Sequence, residues 1–197
     1  MSILSIVKAP DPILKKRCIP VDAVDDEIRR LMDDMLETMY AAPGIGLAAP
    51  QVAIHKRVIV VDASDRDSER SPLQIANPEI VKRSDDLASF DEGCLSFPDQ
   101  YAEVERPASV WVRYIDYNNA PQEIEAEGLL STCIQHEIDH LDGKLFVDHI
   151  SMLKRNMILR KMTKLKKLGR WCNGYDRDAF NFYGHTKDFG ACAFHAS

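Results

Sequence analysis

Residues 128–143 read GLLSTCIQHEIDHLDG, and the architecture turns on how this stretch coils. Leu130, Cys133, Ile134, Ile138 and Leu141 recur at three- and four-residue spacing, the period of one helix face. Gly143 closes that helix. Inside it stands His136-Glu137-Ile138-Asp139-His140. Helix positions four apart lie one above the other, so His136 and His140 can share a metal ion. Glu137 lies about 100° further round the helix. From there a carboxylate reaches a water at the ion and can act as general base.

Catalytic centres of this kind usually take three protein ligands and keep one position open. Downstream, the candidates are Asp142, Asp148 and His149. Asp142 follows His140 by two residues and faces the wrong way on the helix, and His149 requires the chain to double back. Upstream, Cys94 stands in Glu92-Gly93-Cys94-Leu95-Ser96, where the glycine permits an unusual backbone and the Leu95 amide can be left free. A lone cysteine is more often a small core residue than a ligand. The residues alone leave these choices open. Cys plus two His suits zinc first, with Fe(II), Co(II) or Ni(II) also feasible.

Around this helix the chain reads as α+β, short strands surrounding a central metal-bearing helix. Residues 25–41 form the clearest other helix: Ile28, Leu31, Met32, Met35, Leu36, Met39 and Tyr40 share a face, and Asp25 is the N-cap. Arg57–Asp62 reads as a buried strand, and Ile75–Val81 as a weaker one interrupted by Pro78. Ser109–Tyr117 and Gln122–Ala126 alternate on either side of Asn118-Asn119, which predicts a hairpin. A last helix is expected from Ser151 to Leu168. It carries Lys154, Arg155, Arg160, Lys161, Lys164, Lys166 and Lys167 with no acid among them. Residues 171–197 lack a clear period yet hold seven of the chain's fifteen aromatics.

With 197 residues, 28% charged and 45% apolar, the chain has the composition of one globular domain. A net charge of −6 argues against a general nucleic-acid or DNA binder. No apolar run approaches the roughly 20 residues that cross a bilayer. The amino terminus resembles neither a secretory signal nor a transit peptide. Five widely spaced cysteines do not suggest a disulfide framework.

Three segments taken together resemble the signature runs of the peptide deformylase family. They are Gly44-Ile45-Gly46-Leu47-Ala48-Ala49-Pro50-Gln51, Glu92-Gly93-Cys94-Leu95-Ser96 and Gln135-His136-Glu137-Ile138-Asp139-His140, in family order. The resemblance covers residues 1–170 as a single catalytic domain and leaves 171–197 as an extension of unknown role. It implies that Cys94, His136 and His140 bind the metal, with water as fourth ligand. Glu137 would take a proton from that water and pass it to the departing amine. Gln51 and the Leu95 N–H would donate to the oxygen that becomes negative. Gly46 would let the substrate lie against the backbone, while Ile45, Leu129 and Cys133 would line the pocket for a methionine side chain. The implied ion is Fe2+, replaceable by Zn2+, Ni2+ or Co2+. The implied substrates are N-formylmethionyl nascent peptides in the cytoplasm, and the basic helix 151–168 would contact the ribosome. Two rival readings are a metallopeptidase cutting internal bonds and a ribosome-bound module without activity. Glu137 and Gln51, both intact, weigh against the second.

Overall fold

The computed structural model describes residues 2–64 and 68–169, with the backbone of 194–196. Helix α1 (Asp26–Ala41) starts where the Asp25 side chain accepts the Ile28 amide at 2.9 Å, as expected of an N-cap. It turns Ile28, Met32, Met35 and Met39 inward. The chain then gives β1 (Gly46–Ala48), a 3-10 turn (Ala49–Val52) and β2 (Val58–Val61). It continues with β3 (Leu73–Arg83), β4 (Leu87–Cys94), β5 (Phe97–Pro107), β6 (Ser109–Ile115) and β7 (Pro121–Glu127). Helices α2 (Gly128–Leu141) and α3 (Met152–Lys167) follow, separated by a 3-10 turn (Phe146–Asp148).

Five strands form one antiparallel sheet in the order β1-β2-β3-β6-β7. Its middle is buried on both faces, which is why all four residues of β2 are apolar. Val58 and Val60 face the α1 methionines, while Ile59 and Val61 face Cys133, Ile134, Ile138 and Leu141 of α2. The predicted break at Pro78 is a bulge. The pairing of β3 with β6 shifts between Ala76 and Glu79, and Asn77 adopts φ 50° there.

Strands β4 and β5 form a second antiparallel layer, joined by the two-residue turn Leu95-Ser96. A short strand, β8 (Phe194–Ala196), pairs with the other edge of β4. The remainder of the predicted extension 171–197 lies outside the described residues. β5 is a strand that periodicity did not reveal. Its inward positions are Phe97, Gln100, Ala102, Val104 and Arg106, and the glutamine and arginine break the apolar alternation. Helix α2 is thus flanked on both sides, with its apolar edge on the five-stranded sheet and its polar edge toward β4 and β5. It ends at Gly143, whose φ of 72° suits glycine and whose missing Cβ leaves room for the Lys15 carbonyl.

Candidate metal centre

The polar edge of α2 and the end of β4 bring three donors together. Cys94 Sγ and one ring nitrogen each of His136 and His140 lie within 4.8 Å of one another. Sγ sits 3.2 Å from His140 Nε2, and the two imidazole centroids are 5.0 Å apart. All three residues are buried, at 4%, 3% and 1% exposure, so the donors face protein and not bulk water. A thiol and two imidazoles in one buried cluster form a fitting set for a divalent transition metal. One further atom fits an additional ligand near this centre: Glu137 Oε2 is buried with no hydrogen-bond partner in the protein.

His136 is held from two directions. Its Nδ1 lies 2.8 Å from Glu92 Oε2, which leaves Nε2 for the metal side. Glu92 in turn receives Arg106 through both carboxylate oxygens, at 2.5 Å and 3.1 Å. Arg106 reaches on to Asp139 Oδ2 at 2.8 Å. From the other side the Phe146 ring stacks on the imidazole, with centroids 6.3 Å apart and planes 23° from parallel. Burial alone would raise the Glu92 carboxyl, but hydrogen bonds from His136 and Arg106 outweigh it and hold the group ionised. Burial and the neighbouring His136 keep the His140 imidazole in its neutral, ligand-competent form.

Glu137 occupies a tight slot. Burial, with help from the Glu92 charge, pushes its carboxyl up to about 7 against the pull of His136. That places it near neutrality, where one group can both accept and return a proton. Gly46 forms the opposing wall. A Cβ there would run into the Glu137 carboxylate and stand 2.7 Å from Cys133 Sγ. The glycine that the sequence reading gave to substrate passage therefore also makes room for Glu137.

Gln51 is 1% exposed and fixed at both ends of its amide. Its Oε1 accepts the Ala48 N–H at 2.8 Å, and its Nε2 points to Ser96 Oγ at 3.2 Å and Cys94 Sγ at 3.5 Å. The amino-terminal segment braces this corner. Val7 N–H donates to the Gln51 carbonyl at 2.7 Å, and Ala9 N–H to the Ser96 carbonyl at 2.9 Å. Lys8 Nζ donates to the Leu95 carbonyl at 2.6 Å. Ile45 and Leu129 pack against the cluster that contains Cys133, whose thiol donates to the Ile45 carbonyl at 3.4 Å.

Of the candidate third ligands, Cys94 joins the two histidines and the downstream candidates do not. Asp142 pairs with Arg57 at 2.7 Å. Asp148 accepts the Leu145 amide at 2.9 Å, binds Arg155 at 3.0 Å and also pairs with Lys15. His149 bonds Asp139 at 2.7 Å. Sequence reasoning missed Arg106 and Asp139 as supports of the centre, and it quoted Glu92 without a role. The signal for Arg106 was its strand register, on the same face as Ala102 and Val104.

The profile of the polypeptide deformylase family matches residues 3–156. The peptide deformylase of Rhizobium meliloti (strain 1021) is 53% identical over 167 residues, covering 85% of this chain and 96% of that protein. The crystal structure of peptide deformylase from Ehrlichia chaffeensis superposes with a TM-score of 0.81 at 40% identity, covering 86% of this chain and 99% of that one. The same enzyme in complex with actinonin gives 0.81 at 43% identity, covering 85% and 99%.

Proposed function

The chain belongs to the peptide deformylase family, and from that premise we propose how its residues divide the work. It is a metal-dependent hydrolase that removes the N-formyl group from the N-terminal formylmethionine of nascent polypeptides, releasing formate. In the proposed division, Cys94, His136 and His140 hold the ion. When bound, the ion supplies Lewis acidity, lowering the pKa of a water at the site toward neutrality.

Glu137 takes a proton from the attacking water and delivers it to the amine nitrogen, which leaves poorly until it is protonated. Gln51 Nε2 and the Leu95 N–H donate to the formyl oxygen as it gains charge, and such donors are worth about 3–4 kcal/mol of barrier. Ile45, Gly46, Leu129 and Cys133 form the methionine pocket in this reading. Its support is that Ile45, Leu129 and Cys133 pack in one cluster, against the wall shared by Gly46 and Glu137.

Fe2+ is the proposed native ion, with Zn2+, Ni2+ or Co2+ able to replace it, since thiolate and imidazole donors accept all four. The proposed workplace is the cytoplasm. Among the described residues no helix is long and apolar enough to cross a membrane. A ribosome contact through α3 is supported by its surface. Lys154, Arg160, Lys161, Lys164, Lys166 and Lys167 are exposed, beside exposed Met152, Leu153 and Met157. Ribosome co-sedimentation that weakens steeply with salt, and fails when Lys164, Lys166 and Lys167 are neutralised, is the expected result.

The observation that carries the reading is the meeting of Cys94 Sγ with the two imidazoles within 4.8 Å. Its test is metal analysis of Cys94→Ala beside a formyl-Met-Ala-Ser assay on anaerobically iron-loaded enzyme. The expected outcome is formate release without internal cleavage by the wild type, and neither metal nor formate from the variant. A variant that keeps one ion per chain overturns the ligand set.

A further inference from the structure

We propose that His149 is a positioning residue for the metal ligand His136, acting as the clasp of a closed ring of contacts; this rests on the metal-centre reading above. The ring can be traced atom by atom. His149 Nε2 lies 2.7 Å from Asp139 Oδ2, and the same oxygen accepts Arg106 at 2.8 Å. Arg106 grips both oxygens of Glu92, and Glu92 meets His136 Nδ1 at 2.8 Å. On its other side His136 carries the stacked Phe146 ring. The backbone closes the circuit, because the His149 N–H donates to the Phe146 carbonyl at 3.0 Å.

Two constraints on the His136 ring, the carboxylate at Nδ1 and the phenyl face, thus converge on the segment 146–149. The His149 side chain ties that segment to α2. Phe146 is 1% exposed and also packs edge-on against Phe97 at 5.2 Å, so its ring has little freedom except by movement of the whole segment. His149 itself is about one third exposed on its side chain and is not among the three clustered donors. Sequence reading held it as a possible ligand; its place in the ring gives it a different task. Partners beyond the ligands commonly change metal affinity by about 10–100-fold, and His149 stands at the outer end of such a chain.

The test uses the full chain loaded with Co2+ and follows loss of the ion to excess EDTA. His149→Phe keeps a planar ring and removes the nitrogen; His149→Gln keeps a donor that can reach Asp139. The expected result is loss about tenfold faster in His149→Phe and within about threefold of wild type in His149→Gln, the weakest end of the range for outer partners. Thermal unfolding of the metal-free proteins is expected to be the same for all three. Wild-type release from His149→Phe overturns the proposal. So does release from His149→Gln as fast as from His149→Phe, because a donor restored toward Asp139 would then have no effect. A lowered unfolding midpoint in metal-free His149→Phe also overturns it, by making the role one of stability alone. Cys94→Ala runs beside them. If it retains the ion, the metal-centre reading itself has failed; if it binds none while His149→Phe releases like wild type, only the role of His149 has.

Discussion

Helices α1 and α2 are close in length, at 16 and 14 residues, yet they are held by opposite physics. α1 buries an apolar stripe, Ile28, Met32, Met35 and Met39, and leaves Asp26 and Glu27 in water. Each such side chain removed from water contributes about 1.5–3 kcal/mol. α2 buries ten residues, among them Gln135, His136, Glu137 and His140. Its charges meet a second layer of buried charge, with Arg106 at 5% exposure between Glu92 at 0% and the largely buried Asp139. Matched buried ions roughly balance attraction against lost hydration and add little net stability. The difference separates two tasks: the stripe on α1 holds the fold together, and the charge network around α2 orients His136.

That division can be broken by substitution. Glu137→Gln is expected to cut deformylation by about 10²–10⁴-fold while metal content and unfolding midpoint stay at wild-type values. Assays of formate release beside thermal melts decide it; retained turnover would remove Glu137 from the chemistry. Arg106→Met leaves Glu92 buried without its cation and is expected to cost about 3–5 kcal/mol in urea unfolding, together with weaker metal retention. A variant as stable as wild type would mean that the network is not electrostatically matched.

Met35→Ala probes the other helix, with an expected loss of about 2–3 kcal/mol from the cavity left at a fully buried site. Activity per metal-loaded folded molecule should be unchanged, and a fall in kcat would couple the two regions. The smallest effect is expected from Asp25→Ala, and it carries a pH signature. The Ile28 amide lowers the Asp25 carboxyl below its ordinary range. A depressed carboxyl contributes stability above its unfolded pKa, and that contribution is lost as pH falls through the folded value. The gap between wild type and variant should therefore be full at neutral pH and close in acid. An equal gap at both would show that the ionised cap is not what starts α1.

The same contrast explains what was legible in the sequence. α1 could be read because one stripe, one cap and one period all agree. α2 was legible through a motif whose spacing is itself helical geometry, and the hairpin of β6 and β7 through strict alternation around Asn118-Asn119. β5 was not, because Arg106 occupies an inward position that pattern reading expects to be apolar. The network from His136 to His149 was hidden for a related reason. Its members are charged residues spread over β4, β5, α2 and the segment after it, and only the fold brings them together. Local sequence carries the period of an element and says little about which charges will be buried against each other.

Gly46 has a consequence for inhibition. A compound that rests against this backbone touches a wall that cannot thicken, since any added side chain would strike the Glu137 carboxylate and crowd Cys133. Escape from such a compound by enlarging this position would force the Glu137 carboxylate to move.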